Sequence, residues 1–350
     1  MKTYINIQYL RGLAAILVVV CHSMTMAGVA SFFPVPIGEF GVDIFFVISG
    51  FIMWVTTNEK TPDPKAFWLA RAFRIFPLYW LFCFVMLASI FLIPSAFFHQ
   101  RSMDWVFVLK SFLLIPSYHP DAGTITPLYS IGWTLIYEAF FYVIFGLTLF
   151  VKNLEMRFAA LVSAFIVIYL LGRFVQLESA IGVFYTSSII MEFIIGVFIG
   201  ALVTHLSKIP DFVAYFFLFA SCILFSVGVI FENSVPRITW YGPASALLVI
   251  AAVILEKRLA LNQNRLLLLL GSASYSIYLM HPFAQRFWYG GQVFAFGGIT
   301  HGLSLIVYFI GSLIAGVVGG LMTYWLIEKP LLNRRSKKRR LQTADVALAH

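Results

Sequence analysis

The sequence predicts an all-α, polytopic integral membrane protein of about ten transmembrane helices with both termini in the cytoplasm. Three observations predict it. Of its 350 residues, 61% are hydrophobic and only 11% charged, more apolar side chain than a soluble domain can bury in one core. The apolar residues come in runs of about 20, the length that crosses a hydrocarbon layer of about 30 Å. Lysines and arginines crowd into alternate connections between those runs, as the positive-inside rule demands of a multi-pass chain.

In chain order the runs fall near 9–29, 40–57, 75–94, 128–150, 157–174, 185–205, 211–231, 240–256, 266–288 and 303–327. Lys2 and Arg11 ahead of the apolar stretch 13–20 imitate a signal peptide, but no small-residue cleavage site follows, so this segment is expected to stay as the first helix. The stretch from Trp105 to Pro116 contains Lys110 and is too short to span, which predicts an interfacial or re-entrant helix. With the N-terminus inside, Lys60, Lys65, Arg71, Arg74, Lys152, Arg157, Lys208, Lys257, Arg258, Arg265 and the run from Lys329 to Arg340 are all cytoplasmic. Arg101, Lys110, Arg173, Arg237 and Arg286 fall on the other side. Residues 1–331 read as one membrane domain without an inverted repeat, and 332–350 as a basic, disordered cytoplasmic tail suited to anionic lipid.

The net charge of +9 follows from this topology and carries no nucleic-acid recognition motif. Cys21, Cys83 and Cys222 sit inside apolar runs without metal-site spacing, so free buried thiols and no metal are expected. Gly196 with Gly200, and Gly316 with Gly320, have the spacing of close helix contacts.

An ionisable side chain inside a span costs about 2.5–3.5 kcal/mol, so each one needs a reason. Arg11 and His22 are eleven residues apart, which returns to nearly the same helix face about 16 Å further along. That face suits a long anionic molecule reaching inward, or simply a snorkelling arginine and a histidine bonded within the bundle. Arg71 and Arg74 share a face just before the third crossing and suit phosphates, or serve as ordinary cytoplasmic charge. Asp43, in the stretch Gly41 to Phe51, is placed to orient a histidine or to cap its helix. Glu138, in the stretch Trp133 to Tyr142, lies nearer mid-bilayer and must face the protein interior. His281 precedes Pro282, where a kink is expected, and Glu192 is either a structural or a functional buried acid. Glu328 with Pro330 marks the expected end of the last helix.

Arg11 with His22, Gly41 to Phe51, Arg71 with Arg74, Trp133 to Tyr142 and Tyr275 to Pro282 together resemble the acyltransferase family 3 membrane proteins, in order and over about residues 5 to 331. The opening stretch Ile7 to Ala15 is particularly similar to the ExoZ-like exopolysaccharide acyltransferases of that family. The resemblance implies a multi-pass protein of the bacterial inner membrane that moves an acyl group, most commonly acetyl, from cytoplasmic acyl-CoA to a hydroxyl of a cell-surface polysaccharide or its lipid-linked precursor. It matches His22 to the family's essential histidine, Arg11 to its paired arginine, and Arg71 and Arg74 to a motif held to bind the donor's phosphates.

A neutral histidine has the basicity to deprotonate a hydroxyl near neutral pH, which makes His22 the candidate general base, with an acyl-histidine intermediate as the other route. Asp43 or Glu138, if adjacent, favours the imidazolium formed. Trp133, Tyr137 or Ser49 offers donors to the oxyanion, and His281 is a substrate-binding or structural polar group. Two other classes compete: a transporter or flippase for a lipid-linked sugar, and an assembly subunit of a polysaccharide synthase.

Overall fold

The computed structural model describes residues 4–26, 29–33, 37–59, 61–92, 104–231, 235–259, 263–299 and 302–334. Lys60, Arg101 and the tail from 335 onward, expected above as cytoplasmic or outer charge and as disorder, lie outside the described residues. Hydrocarbon offers no hydrogen bonds, so each spanning segment must satisfy its backbone internally, and the apolar runs become helices. Among the described residues the regular secondary structure is helical, with one isolated bridge between Tyr118 and Ile125 in the connection that follows Phe112.

The helices are α1 (Ile5–Thr25), α2 (Gly41–Asn58), α3 (Pro64–Leu92), α4 (Trp105–Phe112), α5 (Trp133–Thr148), α6 (Leu154–Phe174), α7 (Ala180–Tyr185) and α8 (Met191–Ala201). They continue with α9 (Val203–Leu206), α10 (Asp211–Ile230), α11 (Tyr241–Ile254), α12 (Glu256–Leu259), α13 (Arg265–Ser272), α14 (Ser274–Phe296) and α15 (Leu303–Thr323). Among the described residues, eight helical segments are long and apolar enough to cross a membrane: α1, α2, α3, α6 and α10 alone, α5 and α11 each with the 3-10 turn before it (Ser130–Thr148 and Arg237–Ile254), and α15 with its continuation to Arg334. The chain is therefore an all-α polytopic membrane protein.

Each of the ten expected runs contains helix, but two are broken. The run at 266–288 is α13 and α14, which meet at a 72° bend around Ala273. The sharp bend is there and not at Pro282, through which α14 is one helical element. The run at 185–205 is the short helix Ser188–Ala201, interrupted at Leu202 before α9.

Several boundaries differ from expectation for local reasons. α3 starts early because Pro64 suits a first helical position and the Asp63 carboxylate accepts from Ala66 N–H at 2.9 Å. Its 29 residues reach about 43 Å, longer than the bilayer core, so Arg71 and Arg74 lie inside α3 rather than before it. The last helix does not stop at Glu328. It passes through a π-helical turn, Tyr324–Glu328, and continues through Pro330 to Arg334. α4 has eight residues, about 12 Å, and cannot span. It is tied to α3 by Tyr79 Oη and Trp80 Nε1, which donate to the Ser111 and Phe112 carbonyls, each at 2.8 Å. Cys21 and Cys83 are free and buried, whereas Cys222 is free but exposed on α10, against the expectation of burial.

Glycine sets the tightest crossings. At the α2–α8 crossing, a methyl at Gly196 would fall on the Val47 carbonyl and one at Gly50 on the Phe193 carbonyl, so the backbones touch as the small-residue spacing predicts. At the start of the chain, Gly12 of α1 meets Leu270 and Gly271 of α13 in the same way.

Candidate active site

A cavity of about 330 Å³ lies at the end of the bundle where α1, α3 and α14 begin. Its polar lining includes Arg11 of α1, Ser49 of α2, Arg71 and Arg74 of α3, Glu138 and Tyr142 of α5, and Tyr275 and Tyr278 of α14. Three guanidinium groups and one carboxylate thus face a common space, an excess of positive charge inside a largely apolar bundle.

Each guanidinium is held differently. Arg11 donates to Gln8 Oε1 at 3.1 Å and to Ser274 Oγ at 3.0 Å, so the residue just past the 72° bend fixes it. Arg74 forms an ion pair with Glu328 at 2.5 Å and lies 5.3 Å from the Tyr275 ring centre. The other oxygen of Glu328 accepts from Ser276 Oγ at 2.5 Å. The π turn places Glu328 there: an inserted residue rotates the side chains that follow it on the helix. Arg71 rests against Phe67 and Tyr142, at 5.6 and 5.7 Å from their ring centres. Its Nε is buried with no hydrogen-bond partner among the described residues.

Glu138 accepts from Ser49 Oγ at 3.2 Å and from Tyr142 Oη, its neighbour one helical turn on. Thr134 Oγ1 and Tyr278 Oη, also in the cavity lining, are hydrogen bonded at 2.8 Å. Hydroxyl donors are therefore plentiful around Glu138.

The histidines lie further along. His22 Nδ1 is 3.0 Å from the Val18 carbonyl and His281 Nδ1 is 3.2 Å from the Ile277 carbonyl. The two rings contact each other edge to face, with centres 4.9 Å apart. Sequence reading kept His22 and His281 in separate roles, and the structure brings them together.

Asp43 is placed elsewhere. Its carboxylate is fully buried and accepts from Arg237 Nε and Nη2 at 2.6–3.1 Å, while Arg237 also pairs with Glu39 at 2.9 Å. Among the described hydrogen bonds Asp43 serves this arginine rather than a histidine. Buried Glu192 belongs to the same cluster. Trp133 and Tyr137 do not line the cavity: Tyr137 stacks on Phe184 at 4.0 Å, and Trp133 packs edge-on against Tyr137 at 5.9 Å. Ser49 alone of the three expected oxyanion donors reaches the cavity.

Sequence reasoning missed Tyr142, Tyr275, Tyr278, Glu328 and Gln285 as site residues. Tyr142 and Gln285 each stand four positions after a chosen residue, Glu138 and His281, so helical spacing could have found them. The pairing of Arg74 with Glu328 across 254 positions leaves no local trace.

Residues 4–325 match the acyltransferase domain of acyltransferase family 3. The chain belongs to this family. It is 36% identical over 313 residues to the exopolysaccharide production protein ExoZ of Rhizobium meliloti, covering 89% of this chain and 94% of that one. The acyltransferase MdmB of Streptomyces mycarofaciens is 27% identical over 145 residues, 39% of this chain and 37% of that protein. The putative peptidoglycan O-acetyltransferase YrhL of Bacillus subtilis is 28% identical over 156 residues, 40% of this chain and 24% of that protein. No solved structure gives a significant match. Within this family 3 acyltransferase, the matched span includes the whole basic cavity lining except Leu332, and both histidines.

Proposed function

We propose that this protein is a multi-pass acyltransferase of the bacterial inner membrane. It moves an acyl group, acetyl by the family's habit, from cytoplasmic acyl-CoA to a hydroxyl of a surface polysaccharide or its lipid-linked precursor. The observation that carries this reading is the convergence of Arg11, Arg71 and Arg74 on one cavity, with α1 leading from Arg11 to His22. Guanidinium forks are the side chains best shaped for phosphate oxygens, and a donor with several phosphates needs more than one. The ExoZ relative, matched over almost its full length, supports an exopolysaccharide acceptor. The crowding of basic residues into alternate loops supports ten crossings, with the arginine cavity and both termini on the cytoplasmic side.

On this reading the donor's phosphates sit on Arg11, Arg71 and Arg74, and its acyl arm extends along α1 toward His22. The Val18 carbonyl can only accept, so it holds the proton of neutral His22 on Nδ1 and leaves Nε2 as the base. The acceptor's O–H proton passes to His22 Nε2 as the new C–O bond forms. The C–S bond then breaks and the departing thiolate takes that proton from His22 Nε2, which returns the histidine to its neutral form. Glu138 accepts hydrogen bonds from the Ser49 and Tyr142 hydroxyls and fixes both side chains in the cavity lining. Asp43, bound by Arg237, positions the start of α2 and takes no step in the transfer.

The test is the O-acyl content of the surface polysaccharide, read by proton NMR in cells lacking the protein and complemented with wild type or His22→Ala at equal membrane levels. Acyl signals restored by wild type alone, at unchanged polymer yield, are expected. Equal acylation in all strains, or loss of the polymer itself, would overturn the reading in favour of transport or assembly.

A further inference from the structure

A second cavity, of about 770 Å³, opens at the far end of the bundle from the three arginines. α5 ends beside the arginine cavity, and α6 follows after a short connection and runs for 21 residues, about 31 Å, so its last turn stands at the opposite face. That last turn forms one wall. The connection after it, the stretch 183–188 ahead of α8, and residues 236–239 ahead of α11 form the others. In the orientation proposed above this cavity faces outward. His22, in the last turn of α1, lies toward the same end, but neither it nor His281 lines the cavity.

Five lining side chains carry hydrogen-bonding groups that the fold does not use. Tyr169 and Arg173, one turn apart on α6, Gln176, Ser188 and Thr239 form no side-chain hydrogen bond or ion pair among the described residues. Arg173 is the one charged side chain of the lining among the described residues, and it is exposed. Hydroxyl and amide groups both give and take hydrogen bonds, as sugar hydroxyls do, and a guanidinium fork takes a carboxylate through two parallel bonds. The five groups come from four separate stretches of chain, so a ligand that meets them all is broad and rich in hydroxyls. A lone phosphate answers only Arg173, and a donor with several phosphates needs more cations than this wall holds.

The walls are set by contacts of the protein with itself. A methyl at Gly172 would fall on Thr186, so the end of α6 touches the stretch ahead of α8, and Thr186 Oγ1 donates to the Gly182 carbonyl at 2.8 Å. Tyr118 Oη donates to the Glu178 carbonyl at 3.3 Å and ties down the connection that carries Gln176. Arg237, next to Ile238 of the lining, is held by Glu39 and Asp43. A pocket built in advance loses little ordering entropy when it fills.

We infer that this cavity is an acceptor subsite that takes a segment of acidic polysaccharide, with a sugar carboxylate on Arg173. The inference rests on a surface polysaccharide being the acceptor. Because the histidines lie outside the cavity, the segment it holds is not the one that reacts. Such a segment is bound alike before and during the transfer, so the subsite lowers KM for a long acceptor and leaves kcat unchanged.

The test titrates the full chain, in phosphatidylcholine nanodiscs and without acetyl-CoA, with O-deacylated multi-repeat fragments of the surface polysaccharide, by isothermal titration calorimetry. Arg173→Gln is expected to weaken binding by about tenfold or more, the worth of a charge-assisted hydrogen bond, and Gln176→Ala by less. Reducing the fragments' carboxylates to alcohols is expected to weaken wild-type binding as much, and to cost Arg173→Gln nothing further. With acetyl-CoA added, Arg173→Gln is expected to raise KM for the fragments at unchanged kcat and unchanged KM for acetyl-CoA. No binding by the wild type, equal affinity in Arg173→Gln, or an Arg173 effect that persists in full on carboxyl-reduced fragments would overturn the inference. Loss of fragment binding when phosphatidylglycerol is added to the nanodiscs would also overturn it, making the cavity a site for lipid phosphate. Absence of turnover with fragment binding still dependent on Arg173 strikes at the acetyl-CoA reading instead and leaves the subsite standing.

Discussion

Arg74 and Glu328, 254 positions apart in the chain, meet at 2.5 Å inside the bundle and tie the first turns of α3 to the last turns of the final helix. The Glu328 side chain is 5% exposed and that of Arg74 is 27% exposed, so the pair is mostly withdrawn from water. Removing one partner of such a pair leaves the other charged and unsatisfied, which typically costs about 3–5 kcal/mol, more than the pair contributes over an apolar replacement. Glu328→Ala should therefore lower the Tm of the purified protein in detergent far more than Leu331→Ala on the exposed surface of the same helix. Equal shifts would show that the ion pair contributes nothing to the fold.

Arg71 differs from Arg74 in a way that separates binding from stability. It lies against Phe67 and Tyr142, forms no ion pair among the described residues, and keeps a buried Nε without a partner. Its hydrogen-bonding capacity is therefore free for a ligand. Arg71→Ala should leave the Tm close to wild type and raise KM for acetyl-CoA by roughly 10- to 100-fold, the worth of a charge-assisted hydrogen bond. Arg71→Lys should recover only part, because an ammonium lacks the planar fork. An unchanged KM in Arg71→Ala would place the donor's phosphates elsewhere.

How much of this was legible in the sequence follows the range of the forces involved. The helices were visible because lipid imposes its demand on every residue of a span, and the basic cavity was half visible because Arg11, Arg71 and Arg74 sit at helical spacings or in a resembled motif. What failed was pairing across the chain. Asp43 looked like a partner for a histidine, yet its partner is Arg237, 194 positions away and read only as a charge of the outer loops. The bend at Ala273 was equally hidden: no proline marks it, and it arises where Gly271 lets α13 ride on the Gln8 carbonyl of α1.

Glu138 stands among three arginines, and both its hydrogen bonds enter through one oxygen, from Ser49 and Tyr142. A glutamine carbonyl accepts the same two bonds, so Glu138→Gln should fold normally while removing the only carboxylate that lines the cavity among the described residues. With that negative charge gone, KM for acetyl-CoA should stay the same or fall. If the Glu138 carboxylate itself assists the transfer, kcat should drop by about 10²-fold, the lower range for proton-transfer assistance. A kcat within about twofold of wild type would assign Glu138 to packing.

The Asp43–Arg237 pair offers the sharpest separation of structure from chemistry. Arg237 grips the fully buried Asp43 carboxylate with Nε and Nη2 and also donates to the Glu39 carbonyl at 2.8 Å, pinning the loop ahead of α11 to the start of α2. Arg237→Gln should destabilise the protein by about 3–5 kcal/mol, since it leaves the buried Asp43 carboxylate without its counter-ion, and Asp43→Asn should cost less, because Arg237 keeps its ion pair with Glu39. The double variant should cost less than the sum of the two, because the two amide side chains can bond to each other, and the deficit measures the coupling. Turnover per folded molecule should change little in Asp43→Asn, because no reacting group depends on that carboxylate. Activity lost at full stability in Asp43→Asn would instead return Asp43 to the catalytic set.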